Sequence, residues 1–340
     1  MAKKLTGQRS NEAVPGVGGF LAGAVLAAAG GWMLYSRFGI NHQVVFPEAL
    51  NAARESSASS RVGRVSYYVD RQAPEGTRPL VLIHSINATA SAYEIKPLFE
   101  AYRGTRPVYA IELPGFGFSE RSKRIYSPQL YQDTIIEFLA GIVGEPADVL
   151  ALSLSSEFAA RAAQTRPELF HSLAFISPTG LSGMAWKSSS QQAGAVGFDN
   201  LIHPFLSLRL WSLPLFDMIS THTSIEFFLR KNFIGHIPPG FIEYAYASSH
   251  QPGAEYAPLY FVSGKLFTPQ VRERVYEQLR VPVLALYDRD PNISFEALPD
   301  LLLKNHHWQA IRLVPSLGLP HFERTADTVE VLEGFWGGIK

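Results

Sequence analysis

The sequence predicts an α/β fold, a mostly parallel sheet covered by helices on both faces, with a helical segment inserted before the last strands. Three observations predict it. Short continuous apolar runs, such as Pro79 to His84, have the composition of strands buried on both faces. These runs alternate with helix-forming stretches, and the alternation lapses only between about residues 181 and 280, where aromatic residues and prolines take over. At 340 residues and 46% hydrophobic, the chain has material for one large domain or two small ones, and disorder is excluded. Thirty basic residues balance thirty acidic ones, so no charge field favours nucleic acid. The absence of cysteine excludes disulfides, thiol catalysis and cysteine-bound metal, and leaves the compartment open.

In chain order, no charge interrupts the stretch from Ala13 to Ser36. As a helix it is long enough to cross a hydrocarbon core of about 30 Å. The expectation is an N-terminal membrane anchor over residues 1–40. Lys3, Lys4 and Arg9 before it, against Arg37 after it, orient the rest of the chain to the non-cytoplasmic side. Ala27-Ala28-Ala29 also resembles a signal-peptide cleavage site, and an apolar helix packed on the soluble domain is a third alternative. Trp32 and Tyr35, beyond that site, fit an interfacial aromatic belt. Residues 41–63 are polar and read as a linker or a surface helix.

The core is predicted over residues 64–180 and 281–340. Val65 to Val69 alternates like a strand, and the buried strand 79–84 follows a turn-rich Ala73-Pro74-Glu75-Gly76. Then come a helix at 93–102, a strand at 108–113, a helix at 130–142 and an apolar strand that ends just before Ser153. A strand at 173–177 precedes the insertion. After it the pattern resumes with strand 281–287, helix 295–303, strand 310–314 and helix 328–336. In such sheets ligands bind at the carboxyl ends of the strands. Residues 181–280 read as a helical cap whose aromatics, Trp186, Phe198, Phe233, Phe241 and Tyr244 among them, either glue it to the core or line an apolar pocket.

Ser153 stands where the apolar strand gives way at once to a helix-forming run. A serine in so tight a turn is held out of the sheet, and the next backbone N–H groups are aimed at whatever its hydroxyl attacks. Helix N-capping is the other common use of such a serine.

Several pieces stand in a telling order: His84-Ser85-Ile86-Asn87 after a buried strand, Leu113-Pro114-Gly115-Phe116-Gly117-Phe118-Ser119 after the next, the Ser153 turn, then an acid and a histidine after the last two strands. Together they resemble the α/β-hydrolase superfamily in its cap-bearing branch, from about Arg64 to the end. The resemblance implies an α/β-hydrolase fold with Ser153 as nucleophile, Asp290 as the acid, with Asp288 as its rival, and His321 as general base. It also implies an oxyanion site from the backbone N–H groups of Leu154 and Ile86. His84 matches the family's structural loop histidine.

The chain departs from the family pattern at four places. Ala151 and Ser155 replace the glycines of Gly-x-Ser-x-Gly, and Ser85 stands where glycine is frequent. Counting back five residues from Glu323 places Gly318 where the family's histidine is expected, leaving His321 as the only histidine after the last strand. A serine hydroxyl needs a neighbouring base to attack at neutral pH. The expectation is therefore a serine hydrolase of a hydrophobic ester, with a small-molecule or lipid substrate, or else a non-catalytic member that binds a hydrophobic ligand or partner. No metal-ligand spacing, phosphate loop or dinucleotide fingerprint is present, so no cofactor and no metal is implied.

Overall fold

The computed structural model describes residues 17–182 and 211–339, with side chains from residue 26 onward. It divides into two units, Met1–Asn41 and His42–Lys340. In the first, helix α1 spans Val17–Phe38. Among the described residues no helix is long and apolar enough to cross a membrane. The expected transmembrane helix is therefore not supported, and its first residues, 13–16, lie outside the described ones.

The second unit is built on an eight-stranded sheet in the order β1-β2-β4-β3-β5-β6-β7-β8. The strands are β1 (Ala53–Ser59), β2 (Gly63–Asp70), β3 (Leu80–Ile83), β4 (Val108–Ile111), β5 (Ala147–Leu152), β6 (Phe170–Ile176), β7 (Val283–Tyr287) and β8 (Trp308–Arg312). β2 runs antiparallel to both of its neighbours, β1 and β4, and the other neighbouring strands pair in parallel. The apolar runs follow from burial on both faces. Val81, Ile83, Val149 and Ala151 enter one core cluster with Tyr131, Phe158 and Phe175. Leu80, Leu82, Leu150 and Leu152, their neighbours along the same strands, enter the other with Phe99, Leu332 and Phe335. A strand with core on both sides has no polar face to alternate with.

β1 corrects the reading of residues 41–63 as a linker. It lies almost wholly exposed at the sheet edge, and its sequence Ala-Arg-Glu-Ser-Ser-Ala-Ser carries no apolar alternation. Its backbone pairs with β2 from Ala53 opposite Val69 to Ser59 opposite Gly63. Glu55 reinforces the pairing by accepting from Tyr67 Oη at 2.7 Å and from Arg71. An edge strand of charged and small residues is stable as a partner yet a poor template for further strands.

The flanking helices include α2 (Lys96–Tyr102), α3 (Pro128–Phe138) and α4 (Ser155–Thr165). Between β6 and β7 lie α5 (Ser212–Ile219), α6 (His222–Arg230), α7 (Phe241–Ser249), α8 (Tyr256–Val262) and α9 (Val271–Arg274). The chain closes with α10 (Leu298–Lys304), α11 (Pro320–Glu323) and α12 (Thr325–Gly337). Trp186 and Phe198 of the predicted cap lie outside the described residues. Phe233, Phe241 and Tyr244 serve as glue: Phe241 stacks on Phe322 at 5.3 Å between ring centres, and Tyr244 on Tyr93 at 4.8 Å.

Candidate active site

β5 is fully buried between β3 and β6 and delivers Ser153 at its carboxyl end. Ser153 adopts φ +49°, a left-handed conformation that costs a non-glycine residue about 1–3 kcal/mol and persists where the surroundings over-determine it. Those surroundings are visible. Ser153 N donates to Ile176 O at 2.9 Å, and Ser156 Oγ donates to Ser153 O at 2.6 Å. The N-cap residue of α4 is Leu154, and no side chain caps the helix. Helix capping is therefore not what holds Ser153. Its hydroxyl takes no hydrogen bond among the described residues, and the residue is partly exposed.

Two of the glycine replacements find their reason here. Ala151 is fully buried opposite Ile83, where a larger side chain would push the sheet from α4. Ser155 is also fully buried, and its hydroxyl donates to His84 O at 2.6 Å, tying the start of α4 to the end of β3. The added atom is accommodated because it gains a partner.

The loop after β3 is stiffened by Glu94, which accepts from Ser85 N at 2.8 Å and from Asn87 Nδ2 at 2.6 Å. Burial raises the pKa of this carboxyl. Ile86 sits beside these contacts, and neither its N–H nor that of Leu154 has a backbone acceptor among the described residues. His84 is structural, as its place implied. Its Nδ1 donates to Ser85 O at 2.6 Å, its Nε2 accepts from Leu113 N at 3.0 Å, and burial pushes its pKa down to about 4.

The two candidate acids separate cleanly. Asp288 is committed to structure: one oxygen accepts from Arg312 Nε at 2.8 Å and the other from Ser316 N at 2.9 Å. Asp290 Oδ1 accepts from Asn292 N at 2.8 Å and Ile293 N at 3.0 Å, which fixes the carboxyl group. Its Oδ2 faces Gly318, 2.9 Å from the point a Cβ at that glycine would occupy. Burial raises the Asp290 pKa.

His321 does not join Asp290 or Ser153, and its expected place as base is corrected here. Fully buried on α11, it donates from Nε2 to Glu94 O at 2.6 Å. That bond puts the proton on Nε2, and the other nitrogen, Nδ1, is buried without a partner. Desolvation pushes its pKa down to about 4, so the ring is neutral at pH 7. The residue opposite Asp290 is Gly318. A Cβ there would also run into Asn232 Oδ1, contributed by the cap just after α6.

Gly318 O accepts from Ser177 Oγ at 3.3 Å, and Ser177 directly follows Ile176, whose carbonyl receives the Ser153 amide. Ser177 too is left-handed, at φ +48°. Ser153, Ser177, Asp290 and Gly318 thus meet at the carboxyl ends of neighbouring strands. Sequence reasoning missed Ser177, Glu94 and Asn232. Ser177 could have been found as the residue that ends a central strand. No local signal marks Asn232, which reaches the site from a different part of the chain.

Residues 80–331 match the model of the alpha/beta hydrolase family. The chain belongs to the α/β hydrolase family. An uncharacterised hydrolase of Bacillus subtilis (strain 168), YugF, is 27% identical over 120 residues, which cover 35% of this chain and 43% of that protein. The chain thus matches less than half the length of that relative. Among solved structures, carboxylesterase CesB of Bacillus subtilis superposes with a TM-score of 0.60 at 15% identity, covering 94% of this chain and all of that one. A putative lipase of Acinetobacter baumannii AYE gives 0.64 at 16%, over 93% of this chain and 96% of that one. The enol-lactonase of Burkholderia xenovorans LB400 gives 0.61 at 14%, over 83% and 100%. At such identities these likenesses establish the fold.

Proposed function

We propose that this chain binds the carbonyl group of a hydrophobic acyl compound, a lipid-like ester first, at Ser153, and hydrolyses it slowly without a histidine base. The observation that carries the reading is the pairing of Asp290 with Gly318 while His321 is held by Glu94 O. The elbow and the Leu154 and Ile86 amides would polarise the carbonyl. An oxyanion site and binding alone leave a residual catalysis of about 10³–10⁴ over water when a triad is incomplete. The hydrophobic ester character of the ligand is taken over from the carboxylesterase and the putative lipase of like fold.

A second reading, a full serine esterase in which His321 must first leave Glu94 O to reach Ser153 and Asp290, is favoured by the retained strain at Ser153. Steady-state hydrolysis of a p-nitrophenyl acyl ester separates the two, with folding of each variant checked by its melting temperature. On our reading His321→Gln leaves turnover within about twofold of wild type. A fall of a thousandfold or more in folded His321→Gln, with fast fluorophosphonate labelling of the wild type, would establish the full triad instead.

A further inference from the structure

A cavity of about 520 Å³ lies at the end of the sheet opposite Ser153. Its polar side comes from the amino ends of four parallel strands: Arg78 before β3, Arg106 before β4, Asp148 in β5 and His171 in β6. Helices α2 and α12 supply the other side, with Tyr102 from the first and Val329, Glu333 and Trp336 from the second. The volume falls in the usual range of small-molecule sites, about 300–1,000 Å³. Asp148 stands near the start of β5 and Ser153 just past its end, so about 16 Å of strand separates the cavity from the elbow.

The walls form one bonded set. Asp148 is buried and accepts from Arg106 Nη2, from His171 Nδ1 at 2.7 Å and from Ser172 Oγ at 2.6 Å. The Arg106 guanidinium lies 4.5 Å from the centre of the Trp336 ring, and that ring stands edge-on to Tyr102 at 5.5 Å. Trp336 Nε1 donates to Ser172 Oγ at 3.1 Å, which closes the circle. Within this frame several groups keep unused capacity. Arg106 donates from Nε to Arg78 O and from Nη2 to Pro79 O and Asp148, while its Nη1 meets no acceptor among the described residues. The bond to Asp148 puts the His171 proton on Nδ1 and leaves Nε2 as an acceptor. Tyr102 is only 3% exposed, and its Oη is buried without a partner. Burial first and the Glu333 carboxylate second raise the pKa of this phenol, so Glu333 stands near it, yet beyond hydrogen-bond reach. A buried hydroxyl left so calls for a partner from outside the chain.

The chemistry of the lining selects the ligand. Arg78 and Arg106 are matched in charge by Asp148 and Glu333, so neither an anion nor a cation is favoured. Tyr102 and Arg106 offer donors, whereas Glu333 and His171 Nε2 offer acceptors. A hydroxyl group donates and accepts at one oxygen, which a carboxylate, an ester or an ammonium group does not. A ring that carries several hydroxyls also has C–H faces to lay against Trp336 and Val329. We propose that this amino-end cavity binds a neutral polyhydroxylated ring, a sugar or the sugar part of a glycoside, held by Tyr102, Glu333 and Trp336. The site is independent of any chemistry at Ser153.

The full-length protein is titrated with the methyl glycosides of glucose, galactose and mannose, with binding read by saturation-transfer NMR. The expected result is a Kd of about 10 mM or tighter for at least one of them. Anionic glucuronate and cationic glucosamine are expected to bind about tenfold more weakly. Tyr102→Phe should weaken the bound glycoside about tenfold, the worth of one hydrogen bond, while the melting temperature holds or rises, because the hydroxyl removed has no partner in the chain. Glu333→Ala, at an exposed position, should weaken it to a similar degree without unfolding the chain. A purely structural Tyr102 would give the reverse, a lower melting temperature with unchanged affinity, and would overturn the proposal. So would failure of all three glycosides to bind, equal or tighter binding of either charged sugar, or affinity that survives in both variants.

Discussion

The two ends of the site have been treated differently. At the β5–α4 turn, Ser153 keeps a left-handed backbone, and each departure from the family's small residues has a partner or a packing reason, as in the Ser155 hydroxyl on His84 O. At the loop between β8 and α11, the acid is kept and aimed, yet it faces a glycine, and the one histidine nearby is buried against the oxyanion-side helix turn. The strained half is maintained by the sheet and its core, while the base depends on a single side chain in a loop, which can be lost without disturbing the fold.

The largest expected effect comes from restoring the missing group. Gly318→His needs room, because a side chain at 318 meets Asn232 Oδ1, so the variant to make is Gly318→His with Asn232→Ala. A base placed between Asp290 and Ser153 is expected to raise ester turnover by about 10²–10⁴, the usual contribution of general-base catalysis. The gain should vanish when Ser153→Ala is added. If the double variant folds and turnover stays at the wild-type level, the elbow is not poised for attack, and the contrast between the two halves is wrong.

Next in size is a pH effect on the elbow side. Glu157 on α4 is fully buried, accepts from Thr179 Oγ1 at 2.5 Å and Thr268 N at 2.7 Å, and has its pKa pushed up to about 7 by desolvation. In the fold it holds a proton that the unfolded chain releases near pH 4.5. Its contribution to stability is therefore present at acid pH and is lost as pH rises from about 4.5 through 7, by about 3 kcal/mol at most. Glu112, also buried and raised to about 7, acts with the same sign. Urea unfolding at pH 5 and pH 7.5 is expected to show a smaller pH loss in Glu157→Gln than in wild type. Identical losses would mean that Glu157 is ionised in the fold.

On the base side the counterpart is Glu323. Removing it leaves the Ile234 and Gly235 amides without their acceptor, so Glu323→Ala is expected to cost about 1–2 kcal/mol and to speed hydrogen exchange at those two amides. Unchanged exchange there would show that the Asn232 loop is held by other contacts. The cap aromatics Phe241 and Phe233 around Phe322 are the nearest alternative.

How legible this molecule was depends on which interactions were local. The parallel strands could be read because burial on both faces leaves continuous apolar runs, as in Leu80–Ile83 and Ala147–Leu152. β1 could not, since an exposed edge strand is held by its backbone ladder and by Glu55, and neither leaves an apolar pattern. Ser153 was legible through its position between strand and helix. Gly318 was equally legible by counting from Glu323, but choosing His321 over it set a chemical requirement against the spacing, and the spacing was the better guide. Asn232 was beyond reach because its role exists only after the cap folds onto the core.

The smallest expected effect tests whether the elbow's departures from the family pattern are neutral refinements. Ser155→Gly would restore the family's residue after the nucleophile turn. It would also remove the hydroxyl bonded to His84 O and put a flexible residue at the first position of α4. Losing one buried hydrogen bond while leaving its acceptor unpaired, together with the backbone entropy of glycine, should destabilise the chain by about 1–2 kcal/mol. Ligand affinity and the residual rate at Ser153 should not change, because the Leu154 amide is held by the turn and not by the Ser155 side chain. A gain in turnover on making Ser155→Gly would relocate the impairment: the elbow, and not the missing base, would then be what limits this chain.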